Sequence, residues 1–540
     1  MRKYILFILL VSKGFFVTAQ TLQVGIPYFE TRWRIQQLKG EKDLNTSFSI
    51  RPFITTHDSV YTTGAGTTSG IQWLPITSTQ QYNTHHPYGW NDGSMIPAKG
   101  YQHKLTGGVF ARWGILSVQL QPELVYAQNS SFRTFSTNHS DSVWAVYYNN
   151  VLNVIDNPER LGNGVYTKIF PGQSSVRLHY KKLSLGVSTE NLWWGPGVRN
   201  ALVMSNNAPG FGHITFNTTS PVVSPIGSFE WQLVAGLLNG SDILPPDTGR
   251  TFEGRQLYNP KPDGDRYLNG MVITWQPKWI KGLHLGFSRM FYQYRNNVPG
   301  SFNGWLPVFS SFFKGNSQDE NAFGRDQLLS VFFRLVLPKD NAEFYVEFGR
   351  NDHSQNIDDL VMEPEHARAY IIGGKKLFKN AKGSDIELMA EITQIQTPST
   401  NSVRALQPWY VHYQVRHGYT HRGQVIGAGI GTGSNSQTLG LTWFKEKKQY
   451  GGFFERVVRN NDFYYALFAG TDNFNSHWVD LSMNGHYSIV CKRLVYTGRL
   501  AYIYSKNYEW KYDNGNPAFQ NEGPTDVHNL HAALSVSYLF

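Results

Sequence analysis

The chain has 540 residues, a formal net charge of +10, 16% charged residues and 15% aromatic ones. Its single cysteine, Cys491, excludes a disulfide framework and any cysteine-based zinc site, so packing and backbone hydrogen bonds must hold the fold. Mean hydropathy is −0.37, and beyond the N-terminus no apolar run approaches the ~18–20 residues of a membrane helix, which excludes a helical membrane protein.

Arg2 and Lys3, the apolar run from Tyr4 to Val11, and Val17-Thr18-Ala19 have the pattern of a cleaved export signal over residues 1–19. Residues 20–100 differ in texture from the remainder of the chain and are expected to form an N-terminal periplasmic or luminal segment. Within it Phe29, Trp33 and Gln36 to Leu38 fall at helical spacing with Gly40 as a stop, which predicts a helix over 29–39. Thr46 to Ile54 reads as one strand. Residues 55–100, rich in Thr, Gly, Asn, Pro and His and including Tyr88-Gly89-Trp90-Asn91-Asp92-Gly93, read as loop.

Residues 101–540 have period two. Leu116, Val118, Leu120, Leu124 and Tyr126 alternate with Ser117, Gln119 and Glu123; Phe344, Val346 and Phe348 alternate with Glu343, Tyr345 and Glu347. Ile386 to Ile392 and Val479 to Met483 repeat the pattern, with charges returning on one face. Roughly eighteen such strands succeed one another without a linker, which favours one closed sheet over a series of sandwich domains. Closure also removes the edges that a long open sheet would have to protect. The expected fold is all-β, a transmembrane outer-membrane barrel of about 18 antiparallel strands, after an N-terminal segment containing a short helix. The aromatic content and the 51 glycines suit many turns and two interfacial belts.

At the end of the chain, Leu530, Ala532, Leu534, Val536, Tyr538 and Phe540 alternate with smaller or polar residues. This resembles the C-terminal strand of Gram-negative outer-membrane barrels, whose terminal aromatic is read by the barrel assembly machinery. The resemblance implies that machinery as a partner in biogenesis and the cell outer membrane as the location. With Phe540 at the periplasm, strand parity places 240–266, 296–325, 351–365, 397–407 and 507–527 outside. The same count puts short periplasmic turns at 279–281, 338–341, 377–382, 459–462 and 488–490, while 418–435 is too long for such a turn and is a candidate to enter the lumen.

One stretch stands apart from the strands. Asn191-Leu192-Trp193-Trp194-Gly195-Pro196-Gly197 sets two large rings on a backbone that must turn and cannot join a ladder, since Pro196 lacks a donor. By parity it reaches the external side or bends into the lumen. Together with Ala201-Leu202-Val203-Met204-Ser205-Asn206-Asn207-Ala208-Pro209 it looks like the signature of the Wzi family of capsule-assembly outer-membrane proteins. Gln121-Pro122-Glu123 and the total length are similar to that family too. The resemblance implies an outer-membrane barrel of about eighteen strands with a helical periplasmic element. It also implies a lectin that holds capsular polysaccharide at the cell surface.

Sugars are recognised by aromatic faces and planar hydrogen-bonding side chains. The candidate glycan contacts are Trp193, Trp194, Arg199, Asn206 and Asn207 in the signature loop, Asn303 and Trp305 in one external loop, and Tyr508, Trp510 and Tyr512 in another. The same rings could fill the barrel mouth or sit in the interfacial girdle, and Trp193 and Trp194 could be lumen filler. Lys and Arg are dispersed, so no nucleic-acid partner is expected.

Nucleophile elbows, zinc-protease patterns and phosphate-cradling glycine loops are lacking, so no enzyme activity, catalytic residue, cofactor or metal is expected. The acidic cluster of Asp352, Asp358, Asp359, Glu363 and Glu365 fits no calcium-loop spacing. Two other readings stay open. One is a diffusion channel, from Arg334, Glu343, Glu347, Asp385, Glu387, Asp480 and Arg499 on the presumed lumen face. The other is a barrel-embedded enzyme using Ser and His from neighbouring strands. A monomer in outer-membrane lipid is expected.

Overall fold

The computed structural model describes residues 20–55, 70–310, 324–351, 357–380, 383–402, 404–469, 476–510 and 525–540. Period-two segments close into one antiparallel barrel of eighteen staves. The first six are β1 (Ile71–Asn83), β2 (Gly100–Trp113), β3 (Leu116–Leu120 with Glu123–Ala127), β4 (Tyr166–Phe170 with Ser175–Tyr180), β5 (Leu183–Ser188) and β6 (His213–Thr218 with Val222–Ser224). Then come β7 (Gly227–Leu238), β8 (Arg266–Pro277), β9 (Leu283–Tyr294), β10 (Arg325–Leu337), β11 (Ala342–Asn351) and β12 (Arg368–Lys379). The last six are β13 (Ser384–Gln394), β14 (Asn435–Lys445), β15 (Lys448–Val458), β16 (Val479–Cys491), β17 (Leu494–Lys506) and β18 (Val527–Tyr538). The ring closes where β18 pairs with β1, from His531 opposite Asn83 to Tyr538 opposite Ile76.

The wall therefore begins at Ile71 and not at residue 101. Gln and Thr fill much of β1, and its register shifts between Leu74 and Thr77, around Pro75, which broke the expected alternation. Its outward Ile71, Trp73, Ile76 and Tyr82 are exposed like those of the other staves. On β16 the division is sharp: Met483 is 73% exposed while Ser482 and Asn484 are 2% exposed. Apolar side chains thus face outward where a bilayer would lie, and polar ones face the lumen. Among the described residues no helix is long and apolar enough to cross a membrane.

One end of the barrel carries only short turns, and the other carries the long connections. Aromatic stacks ring the short-turn end. Trp73 meets the terminal Phe540, Trp443 stacks on Tyr450 and Tyr450 on Tyr487, and Trp275 packs between Phe229 and Trp279. Two expected turns need correction. Residues 459–462 belong to the long-loop end, where they open the connection 459–478; the tight turn of that hairpin is Glu446-Lys447. The next turn is Lys492-Arg493, after 488–490. Glu446 and Lys492 take left-handed backbone without glycine, so neither turn was marked by composition.

Helix α1 (Pro27–Leu38) sits across the short-turn mouth, with Pro27 in its first turn where a missing N–H costs nothing. Ile35 and Leu38 pack on Val336, Leu377 and Phe444 of the wall, each burial contributing about 1.5–3 kcal/mol. Arg34 and Arg334 share the carboxylate of Glu343 at 2.6 Å each, and Lys39 pairs with Asp385 at 2.5 Å. The expected strand over 46–54 is instead two short ones: Ile50–Arg51 pairs with Trp193–Trp194, and Phe53–Thr55 pairs with Gln20–Leu22.

The lumen is filled. Connections 84–99, 189–212 and 395–434 contribute Trp90, Trp194, Leu202, Met204, Trp409, Tyr410 and Ile426 to one apolar cluster with inward Val272, Met290, Tyr292, Leu328 and Tyr345 of the wall. Residues 418–435 are thus part of a luminal connection. At the long-loop end, helices α2 (Asp141–Tyr147) and α3 (Asn461–Phe468) form a cap through Phe135, Trp144, Tyr147, Phe463, Tyr464 and Trp510.

Candidate functional site

The double-tryptophan loop enters the lumen and is held by wall carboxylates. Glu391 on β13 accepts hydrogen bonds from the backbone N–H groups of Val198, Arg199 and Asn200 at 2.6, 3.0 and 3.0 Å, and from the Tyr345 hydroxyl at 2.8 Å. Arg199 makes a two-bond fork with Glu455 at 3.0 and 3.0 Å, a geometry that fixes direction as well as charge. Arg34 donates to the Pro196 carbonyl at 2.6 Å, which ties the loop to α1. A Cβ at Gly195 would lie 2.6 Å from Glu347 Oε2, so only glycine lets the backbone approach this carboxylate.

Trp194 is wholly buried and donates its indole N–H to Gln232 at 2.8 Å, and Trp193 lies under the Arg51 guanidinium. Both rings are packing inside the lumen and present no face to a ligand. Asn206 donates to the Asn91 carbonyl at 2.7 Å and Asn207 to the Val425 carbonyl at 2.9 Å, so these two join the three luminal connections to one another.

Above this plug lies a cavity of about 200 Å³, lined among others by Tyr88, Trp90, Asp92, Asn207, Gln424, Arg459, Trp478 and Asp480. Gln81 and Asp480 come from the outer ends of β1 and β16, which places the cavity in the long-loop half of the lumen. Its polar groups are mutually fixed. Asp480 pairs with Arg459 at 2.9 Å and accepts from Trp478 Nε1 at 2.9 Å and Ser505 Oγ at 2.6 Å. Trp478, half-buried, is held by its indole N–H. Burial raises the Asp92 carboxyl, while Arg499 and Lys104 draw it back down.

Two donors in this lining, Trp90 Nε1 and Gln424 Nε2, are buried and have no hydrogen-bond partner. Each is a desolvated N–H inside the wall of the cavity. An aromatic wall with carboxylate, amide and guanidinium edges is the lining a sugar hydroxyl array requires.

Of the sequence candidates, Asn207 lines this cavity, and Arg199 lies beneath it with its guanidinium 5.0 Å from the Trp90 ring centre. Tyr508 and Trp510 belong to the cap: both pack on Trp478, at 4.9 and 5.2 Å between ring centres, and the Tyr508 hydroxyl donates to the Arg133 carbonyl at 2.9 Å. Tyr512 lies outside the described residues.

Asn303 and Trp305 are elsewhere. On β9, Met290, Tyr292 and Tyr294 join the luminal cluster, so Arg289 and Phe291 point outward; yet both are buried. Residues 301–310 cover them. Arg289 donates to the Ser310 carbonyl at 2.8 Å, and Val308 N–H donates to outward-facing Asn269 at 3.3 Å. The loop is a strap on the outside of the wall, with Phe302, Trp305 and Phe309 exposed on it.

Sequence reasoning missed Trp90, Gln424, Arg459 and Trp478. Tyr88-Gly89-Trp90-Asn91-Asp92-Gly93 carries the same ring-and-amide composition as the external loops, which is the signal that could have found Trp90. Among the described residues no three His, Cys, Asp or Glu groups converge as a metal site. Glu363 of the acidic cluster pairs with Arg404 at 2.9 Å, and residues 352–356 lie outside the described residues.

The sequence profile of the capsule assembly protein Wzi family matches residues 91–486. No curated protein shows significant sequence similarity to the chain. Among solved structures, Wzi of Escherichia coli, described as an outer membrane protein involved in group 1 capsule assembly and a carbohydrate-binding β-barrel, is similar. Its TM-score is 0.55 at 14% identity, over 86% of this chain and 84% of that one. OccAB2 of Acinetobacter baumannii is similar at TM-score 0.42 and 10% identity, over 86% of this chain and 97% of that one. OprB of Pseudomonas putida is similar at TM-score 0.34 and 12% identity, over 87% and 94%.

Proposed function

The chain belongs to the Wzi family of capsule assembly proteins, and from that membership we propose that it is a lectin of the outer membrane that anchors surface polysaccharide. Capsular or related polysaccharide enters from the long-loop side and seats a short run of sugar units in the cavity over the plug. The observation that carries this reading is a cavity in the long-loop half of the lumen that sets the rings of Trp90 and Trp478 beside Asp92, Arg459 and Asp480. Sugar hydroxyls meet the carboxylate and guanidinium edges, and the Trp478 ring supplies an apolar face. Binding, and no bond cleavage, is the proposed activity, because the acidic and basic groups at the cavity are tied into ion pairs and hydrogen bonds. The protein works as a monomer in outer-membrane lipid and reaches it through the barrel assembly machinery.

The channel reading is the weaker one, since most of the charges that suggested it are tied to α1, to the plug or to other charges. Arg334 and Glu343 hold α1, and Glu347 approaches Gly195.

The test is genetic. Deletion is expected to release polysaccharide from cells into the medium; the wild-type chain restores retention and Trp478→Ala does not. Full retention in the deletion strain contradicts anchoring.

A further inference from the structure

The wall is not of even height. β5 has six residues where β7 has twelve and β16 thirteen, a difference of about 20 Å at ~3.4 Å per residue. Beside it β4 breaks between Phe170 and Ser175, and above the break Tyr166–Phe170 pairs with Glu123–Ala127 alone. The result is a notch in the outer half of the wall.

A groove of about 610 Å³ lies in this notch. Leu120, Val176, Val187 and Ile214, all exposed on the outward face, line its floor. Tyr267 and Trp305 bound its far side, their rings 5.1 Å apart and edge to face. Arg295 stands at its upper edge, exposed and without an ion pair among the described residues.

We propose that this groove holds an acyl chain of an anionic, phosphate-bearing lipid of the outer leaflet, with the phosphate on Arg295. The groove is continuous with the apolar band that lipid already touches, so an acyl chain reaches it without leaving the bilayer. A peptide there would bring backbone groups that the apolar lining cannot satisfy. Tyr267 and Trp305 mark the level of the interfacial belt, which is where a head group lies, and a guanidinium matches phosphate in a two-bond fork. Transfer of a chain from bilayer to groove yields no hydrophobic gain, because both are equally apolar. Occupancy is therefore decided by the head group and by shape.

The experiment uses the full chain reconstituted in phosphatidylcholine vesicles doped with either phosphatidylglycerol or phosphatidylcholine carrying a diazirine in the acyl chain. Cross-linked peptides are mapped after irradiation. Phosphatidylglycerol is expected to label peptides holding Leu120, Val176, Val187 and Ile214 about tenfold more than phosphatidylcholine, a difference of about 1.4 kcal/mol. Arg295→Ala removes the difference. Gly212→Leu lowers labelling by both lipids at these peptides, since a side chain at Gly212 enters open space in the groove; Val187→Phe fills it from β5. Heat-modifiable gel mobility reports that each variant is folded. Even labelling around the belt by both lipids, or enrichment that survives Arg295→Ala and both fillings, overturns the proposal.

Discussion

Glu391 shows how single side chains organise the interior. Its carboxylate gathers three successive amides of the signature loop and one hydroxyl, so the wall supplies the anion and the loop supplies the nest. Glu391→Ala leaves those buried N–H groups unsatisfied at about 1–3 kcal/mol each. Loop 189–212 is then expected to loosen, and limited trypsin digestion to cut after Arg199 in the variant while sparing the wild type. Glu391→Gln, which keeps an acceptor, is expected to lie between them. Equal protection of all three would show that the loop is held by other contacts. The shape of this loop was legible in its residues, since Trp-Trp-Gly-Pro-Gly has to turn and to bury its rings. That it could bend into the lumen, with Trp193 and Trp194 as filler, was legible too; the carboxylates that hold it there were not, because Glu347, Glu391 and Glu455 come from staves far along the chain and meet the loop only when the ring is closed.

At the scale of elements, the cap over the cavity is held by α2, α3 and a pair of acids, Glu159 half-buried and Glu509 buried. Glu159 accepts from the Tyr147 hydroxyl and from Phe135 N–H, and Glu509 lies near it and near Arg133. Burial is the largest cause that raises both carboxyls, and for Glu509 the neighbouring Glu159 adds to it. A carboxyl whose folded pKa exceeds its unfolded one binds more protons when folded. The cap is therefore most stable at acid pH and loses stability as pH rises from the ordinary carboxylate range through the raised values. Hydrogen exchange, corrected for intrinsic rate, is expected to show less protection of 141–152 and 461–468 at pH 8 than at pH 5, and Glu159→Gln to shrink the difference. A flat profile would mean that the carboxyls are solvated.

Most staves and the helix at the short-turn mouth were legible from period and caps. β1 was hidden by Gln, Thr and Pro75, and Arg459–Asp462 by a helix that interrupts the alternation. The strap was unreadable because Arg289 and Asn269 are polar residues on the lipid side, tolerated only under a loop.

For the whole molecule, a filled barrel divides its surfaces by solvent. Trp305 and Asn303 stand on the outer wall, Trp193 and Trp194 in the packed interior, and Trp478 at a cavity in the long-loop half of the lumen lined by rings and charged groups. The proposed function puts polysaccharide inside the mouth and lipid outside the wall. Calorimetric titration of the detergent-solubilised protein with surface polysaccharide purified from its own cells tests this division most directly. Trp478→Ala is predicted to weaken binding about tenfold or more, while Trp305→Ala leaves it unchanged and both keep heat-modifiable mobility. Binding that is lost with Trp305 and kept without Trp478, or no binding by the wild-type chain, would contradict it.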